Sequence, residues 1–301
     1  MVIIRYRNIF FAVTGAIIIA SLISLFVFGL HFGTDFKGGT LVQFSYNSGR
    51  PDSVKLGGSL KVAGFEGFSL REAGEAGYIL RAGNMTEAQR AALSGVLSGK
   101  GEHPVTINQL TEVGPTIGKE LRNKALIALV LVLLCILLFI AFAFRKVSQP
   151  VSSWIYGLIA LMALLHDVVV PMGFFAFLGY FTGAQVDTLF VTAVLTILGF
   201  SVHDTIVVFD RVRENLRINQ ERNRKEDFAE TAGRSLGQTF VRSVNTSLTV
   251  VFTLLVLYFV GPASTRDFSL TLLVGIIAGT YSSIFLATPL LVAVERWRRG
   301  K

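Results

Sequence analysis

The sequence predicts a polytopic α-helical membrane protein with six transmembrane helices and one small α+β domain between the first two; three observations point that way. Apolar residues make up 52% of the 301 and charged residues only 16%, with a mean hydropathy of +0.59, which is too apolar for an ordinary soluble chain. Those apolar residues gather in six long blocks. Between the first two blocks, glycines, charges and alternating segments take over, as in a domain folded in water. The net charge of +8 reflects Arg clusters beside the apolar blocks, which orient membrane proteins; no nucleic-acid partner is expected.

The first apolar run, 9–30, follows Arg5 and Arg7. At about 1.5 Å per residue it is long enough to cross a hydrocarbon core of about 30 Å. It exceeds a signal-peptide core and no small-x-small site follows, so 1–30 is expected to be an uncleaved anchor with a cytoplasmic N-terminus. The next stretch, 31–124, is expected to be an extracytoplasmic α+β domain. Strands are predicted at 40–46, 65–69, 77–81 and 105–113, with one helix at 52–63. A second helix opens with a Thr86 and Gln89 capping box and closes at Gly99. The order βαββαβ is the ferredoxin-like, split βαβ arrangement.

Apolar runs at 125–144, 153–177, 189–209, 240–260 and 268–294 make 125–301 a five-helix membrane unit. Lys and Arg number two before the first span, two between the second and third (Arg145 and Lys146), seven over 211–234 and four over 296–301. The loops 178–188 and 261–267 hold only Arg266. This asymmetry puts both termini and the loop 211–238 in the cytoplasm. The eleven basic residues of 31–124 are no objection, because long translocated domains escape the rule. Cys135, the single cysteine, lies in an apolar run and supports neither a disulfide framework nor a cysteine metal site.

Ionisable groups at membrane depth mark the candidate site, because such residues usually face a bundle interior or a wet cavity. The stretch 199–215, GFSVHDTIVVFDRVREN, sets His203 and Asp204 in the fourth apolar run. Counting along the helices puts Asp204 about 22 Å below the outer boundary and Arg242 about 5 Å above the cytoplasmic one, so the two are expected to pair. Asp167, about 21 Å from the cytoplasmic boundary, lies nearer the outer face. It is expected not to pair with Asp204 and to hold, with His166, a relay position. Arg242, Thr246, Thr249 and Thr253 share one helical face, and Thr192, Thr196, Gly199 and His203 share another. Two such stripes facing each other would hold water on the way to Asp204; alternatively, the threonines bond their own preceding carbonyls and serve packing. Pro171 is expected to kink the third span beside Asp167. Gly275, Gly279 and Ser283 form a small-residue ridge for close helix packing. His31 and His103 stand alone, and the sequence has neither a phosphate-binding Walker loop nor an HExxH metal motif. No cofactor, metal or nucleotide hydrolysis is expected, so the chain does not read as an enzyme.

The stretch 33–40, GTDFKGGT, together with 199–215, resembles the SecF family of bacterial SecDF protein-export complexes, in the resistance-nodulation-division superfamily. The likeness covers nearly the whole chain. It includes EVGP at 112–115, HDV at 166–168, Arg242 followed by Thr246 and Ser247, and the family's D-F-x-G-G as Asp35, Phe36, Gly38 and Gly39. The resemblance implies a multi-pass protein of the bacterial cytoplasmic (inner) membrane, held in lipid, that pairs with SecD and joins the SecYEG translocon. It would use proton flow to help draw unfolded polypeptide outward, with Asp204 as the embedded acid and Arg242 as its basic partner. Many members carry asparagine where this chain has His203, so a titrating role for His203 does not transfer. Desolvation favours the protonated form of Asp204 and a guanidinium favours the ionised form, so a small helix shift would exchange the two. The rival readings are a proton-coupled small-molecule antiporter subunit of the same superfamily, for which so small an outer domain leaves little room, and a passive scaffold.

Overall fold

The computed structural model describes residues 2–47, 49–99, 101–144 and 151–300; Arg145, Lys146 and Lys301 of the basic clusters lie outside the described residues. A short helix α1 (Val2–Arg5) leads into α2 (Arg7–Phe28). Then come α3 (Thr34–Lys37), β1 (Gly39–Tyr46), α4 (Ser53–Val62), β2 (Ser69–Ala73), β3 (Gly77–Ala82), α5 (Glu87–Leu97) and β4 (Val105–Val113). The rest is helical: α6 (Pro115–Ala143), α7 (Ser153–Thr182), α8 (Thr188–Glu221) and α9 (Phe228–Val260). A final stretch joins a 3-10 turn (Ala263–Thr265), α10 (Arg266–Ser282), a π turn (Ser283–Ala287) and α11 (Thr288–Arg299). Six helical stretches are long and apolar enough to cross a membrane, as the sequence predicts.

The strands form one antiparallel sheet in the order β2-β3-β1-β4, the split βαβ order expected from the sequence. Alternation explains it: Val42, Phe44 and Tyr46 of β1 and Tyr78 and Leu80 of β3 turn one face inward. That face packs on Leu56 and Leu60 of α4 and Leu93 and Leu97 of α5. Both arms of the Thr86 and Gln89 capping box are formed.

Three boundaries differ most from expectation. Helix α6 begins at Pro115, so 115–124, expected in the outer domain, is the first part of the second long helix. The strand predicted at 65–69 lies at Ser69–Ala73 instead, because a tight hairpin with Gly74 at φ 67° pairs Ala73 with Gly77 and Ser69 with Arg81. Phe65, which suggested a strand, is a buried loop residue filling the core beneath. The segment 211–238 is largely a helical hairpin rather than a loop, since α8 runs on to Glu221 and α9 begins at Phe228. Its polar residues bond each other across the hairpin: Asn215 donates to Ser235 at 2.8 Å, and Asn219 and Arg234 both reach Glu226, at 2.6 and 2.5 Å. These bonds satisfy groups that would otherwise favour coil.

The centre of the bundle is α7 and the final stretch, whose most apolar windows are 56% and 61% buried, against 11% for α2 and 6% for α6. Helix α7 runs unbroken through Pro171. Two residues later Gly173 meets α2: a Cβ there would lie 2.5 Å from Ser21 Cα, and Ser24 Oγ donates to the Gly173 carbonyl at 2.7 Å. Gly173→Val is therefore expected to push the first span off the third and cost about 1–3 kcal/mol, the usual penalty for overpacking. A lowered thermal unfolding midpoint in detergent is the check.

Candidate functional site

Four helices meet around two carboxylates. Asp167 on α7 has no exposed surface. One oxygen, Oδ2, accepts from Ser201 Oγ of α8 and from Ser282 Oγ of α10 at 2.8 Å, while Oδ1 lies 2.8 Å from His166 Nδ1. Asp204 on α8 is 3% exposed and accepts one long contact, from Ser247 Oγ of α9 at 3.5 Å. The single hydroxyl proton of Ser247 is shared between Asp204 and the nearer Ser243 carbonyl at 2.9 Å, and its oxygen accepts from Thr280 Oγ1 of α10 at 2.6 Å. Helix α10 thus touches both acids' surroundings, through Thr280 and Ser282.

The glycine ridge makes this possible. A Cβ on Gly279 would lie 2.9 Å from Ser201 Cβ, and one on Gly275 would overlap Ile197. Only glycine at both positions lets α10 press against α8 closely enough to bring Ser282 to Asp167. The ridge was expected to serve packing alone; it also positions the site.

Depth counting misjudged the separation of the acids. Ser201, which binds Asp167, precedes Asp204 by three residues, about 4.5 Å along the axis. The acids therefore occupy neighbouring layers, because the helices extend beyond their apolar runs and the ends of those runs are not level markers. Among the described residues no hydrogen bond joins the two carboxylates.

The expected ion pair is absent from this conformation. Among the described residues Asp204 forms no salt bridge with Arg242, which lies exposed on α9. The reason is rotational: Ser243 and Ser247, four residues apart, are the buried face of α9, and Arg242 lies about 100° round from Ser243. Of the two readings of the polar stripes, the threonine hydrogen bonds match the one in which each hydroxyl bonds its own preceding carbonyl. Thr192, Thr196 and His203 on α8 and Thr249 and Thr253 on α9 are exposed, and Thr246 is half-buried. The hydroxyls of Thr192, Thr196, Thr246 and Thr253 each donate to a carbonyl four residues earlier, and that of Thr249 to the one three earlier. They do not line an internal water path within this chain; they face outward at membrane depth, where lipid alone would be a poor solvent for His203 and Arg242.

The motif residues near the first span have a structural task. Asp35 accepts from the Thr188 backbone N at 2.9 Å and its Oγ1 at 2.7 Å, holding the start of α8. Phe36 is buried among Leu164, Val168 and Val186. Gly38 has φ 83°, and a Cβ there would lie 2.9 Å from Pro115 Cα. Gly39 has φ 136°, and a Cβ there would overlap the Ala82 carbonyl. Only glycine allows the chain to enter the sheet so close to α6.

Above the helix ends lies a cavity of about 500 Å³ between the sheet and the membrane unit, lined by Asp35, Arg71, Arg81, Asp187 and Asp267 among others. Arg81 is 8% exposed, and its Nη1 has no hydrogen-bond partner among the described residues. Asp187 caps α8 by accepting from Phe190 N at 2.8 Å. Burial pushes its carboxyl up from the ordinary 3.8, the cap bond and Arg81 oppose this, and Asp35 and Asp267 add to it. With the folded value raised, this residue's contribution to stability is complete below the unfolded value and is lost as pH rises through the folded one. The unfolding midpoint of Asp187→Asn, which keeps a cap acceptor, should depend less on pH than the parent's as pH rises above the ordinary carboxylate value of 3.8.

Ser201, Ser243, Thr280 and Ser282 were not singled out by sequence reasoning. Their one signal was spacing: Ser201 precedes Asp204 by three, and Ser282 follows Gly279 by three.

Comparison with known proteins gives a consistent result. A family model described as protein export membrane protein SecD/SecF, C-terminal, matches residues 96–297, and the SecD/SecF GG motif matches 23–49. A protein translocase subunit SecF from Thermobaculum terrenum is 45% identical, covering 97% of this chain and 93% of the relative. Its counterpart from Pseudomonas aeruginosa is 34% identical, over 95% and 89%. The crystal structure of SecDF from Thermus thermophilus, described there as a translocon-associated membrane protein, matches with a TM-score of 0.82 at 31% identity. It covers 98% of this chain, which spans 38% of that longer one.

Proposed function

Because the chain belongs to the SecD/SecF family of protein-export membrane proteins, we propose that it is the SecF-type accessory subunit of a Sec translocon and couples proton movement to outward transport of unfolded polypeptide. It is a multi-pass membrane component of protein transport. Its partners in this reading are SecD, the SecYEG translocon and the exported chain, with both termini in the cytoplasm and the sheet domain outside.

Asp204 supports the coupling most strongly. A carboxyl 3% exposed at membrane depth, with one contact at 3.5 Å and a guanidinium exposed on the next helix, is not locked into a structural ion pair. Such a group is suited to exchanging a proton for a cation partner. In this conformation it bonds to Ser247; pairing with Arg242 needs α9 to turn by about 100°, or the long Arg242 side chain to reach round the helix. Asp167, caged by three side chains, is the fixed acid beside it, with His166 on its other oxygen. The exposed His203 and Arg242 favour a partner subunit covering that side, since ionisable groups rarely face lipid.

Copurification of the tagged full-length chain from native membranes tests this reading. Recovery with SecD and translocon subunits supports it. Recovery with drug-efflux partners and none of these would replace it with the antiporter reading.

A further inference from the structure

Helix α10 has a second connection, at its outer end. Arg71 of β2 forms a two-pronged pair with Asp267 in the first turn of α10, at 2.7 and 3.4 Å, with both side chains roughly three-quarters buried. Among the described residues it is the one ion pair between the sheet and the membrane helices. The other polar ties come from the linker ahead of the sheet: Gly33 N donates to the Val186 carbonyl at 2.8 Å, Val186 N to the His31 carbonyl at 2.7 Å, and Thr188 to Asp35. The linker is flanked by Gly29, Gly38 and Gly39, all at positive φ. The sheet is thus tethered at its base and clamped to α10 on its far strand.

From Asp267 to Ser282 is fifteen residues of continuous helix, about 22 Å. At the inner end Thr280 reaches Ser247 and Ser282 reaches Asp167. Immediately beyond, the π turn Ser283–Ala287 breaks the regular bonding, the kind of point at which a helix can change its rotation without unfolding. Along its length, Gly275 and Gly279 present a smooth ridge to α8.

We infer that α10 is the rod by which the two acids act on the sheet, and that Arg71 and Asp267 are positioning residues fastening its outer end. This rests on the proton-coupled reading above. A change of charge at Asp204 alters what Ser247 bonds, hence Thr280; the π turn lets α10 respond as one piece, and the ion pair passes the movement to β2. A bidentate guanidinium–carboxylate pair suits this because it fixes orientation as well as distance.

The test uses the full chain assembled with its partners in proteoliposomes, in a Cys135→Ser background. The variants are Arg71→Asp, Asp267→Arg and the double exchange Arg71→Asp with Asp267→Arg. One readout is the distance distribution between spin labels at Thr106→Cys on β4 and Val260→Cys at the end of α9. The others are proton-dependent export and proton flux. Each single reversal should broaden the distances and lower proton-dependent export roughly fivefold or more, with proton flux retained. The double exchange should restore both. Unchanged distances in the single reversals, or a double exchange that restores nothing, would overturn the rod. If the distances respond and are restored but export by the parent ignores the proton gradient, the mechanical link between β2 and α10 stands and its use by the acids falls with the proton-coupled reading.

Discussion

Asp204→Asn is expected to reduce export to the level seen without a proton gradient while leaving the protein folded and assembled. Asparagine has nearly the same shape and keeps an oxygen for Ser247 at the observed 3.5 Å; it stays neutral, can neither gain nor lose a proton, and carries an amide donor in place of the second oxygen. The structure favours so clean a separation because Asp204 supports little: one long contact, and among the described residues no salt bridge. Each proton crossing about 100 mV makes about 2.3 kcal/mol available, enough to bias a two-state domain movement. The measurement is translocation into vesicles with and without an imposed gradient; gradient-stimulated export at the parent level in the variant would count against proton coupling.

Asp167→Ala should act on stability instead. It strips the acceptor from Ser201, Ser282 and His166, all buried. Ser282 can still donate to the Gly279 carbonyl at 3.1 Å, and with about 1–3 kcal/mol for each of the two donors left unpaired, a loss of about 2–6 kcal/mol is expected. Asp167→Asn, which keeps an oxygen for the two serines, should recover much of it. Thermal unfolding of the purified full-length variants separates the two: a large drop for alanine and a small one for asparagine. Equal drops would mean that the cage contributes little and that the volume of the side chain decides.

The architecture was legible because it follows from periodicity. Six apolar blocks dictate six spans, and alternation with a capping box dictates the split βαβ sheet. What local pattern cannot decide is where an ambiguous segment pairs. Phe65 looked like part of a strand, but the hairpin at Gly74 set the register and drew β2 to Ser69–Ala73. Asp204 and Asp167 were visible because a carboxyl in an apolar run is costly wherever it sits. Two of their partners were not visible: Ser201 and Ser282 are unremarkable residues for a membrane helix, and only the approach of α10 along Gly275 and Gly279 brings Ser282 to Asp167 beside Ser201. Arg242 stays exposed on α9 for a related reason: rotation about the axis, which depth along it does not reveal, turns Ser243 and Ser247 inward in this conformation.

Proton flux is the most direct measurement. Vesicles holding the assembled complex, with an imposed gradient and an internal pH dye, should take up protons when the parent chain is present and lose that uptake with Asp204→Asn. Equal uptake by both would contradict the assignment of Asp204 as the group that exchanges the proton.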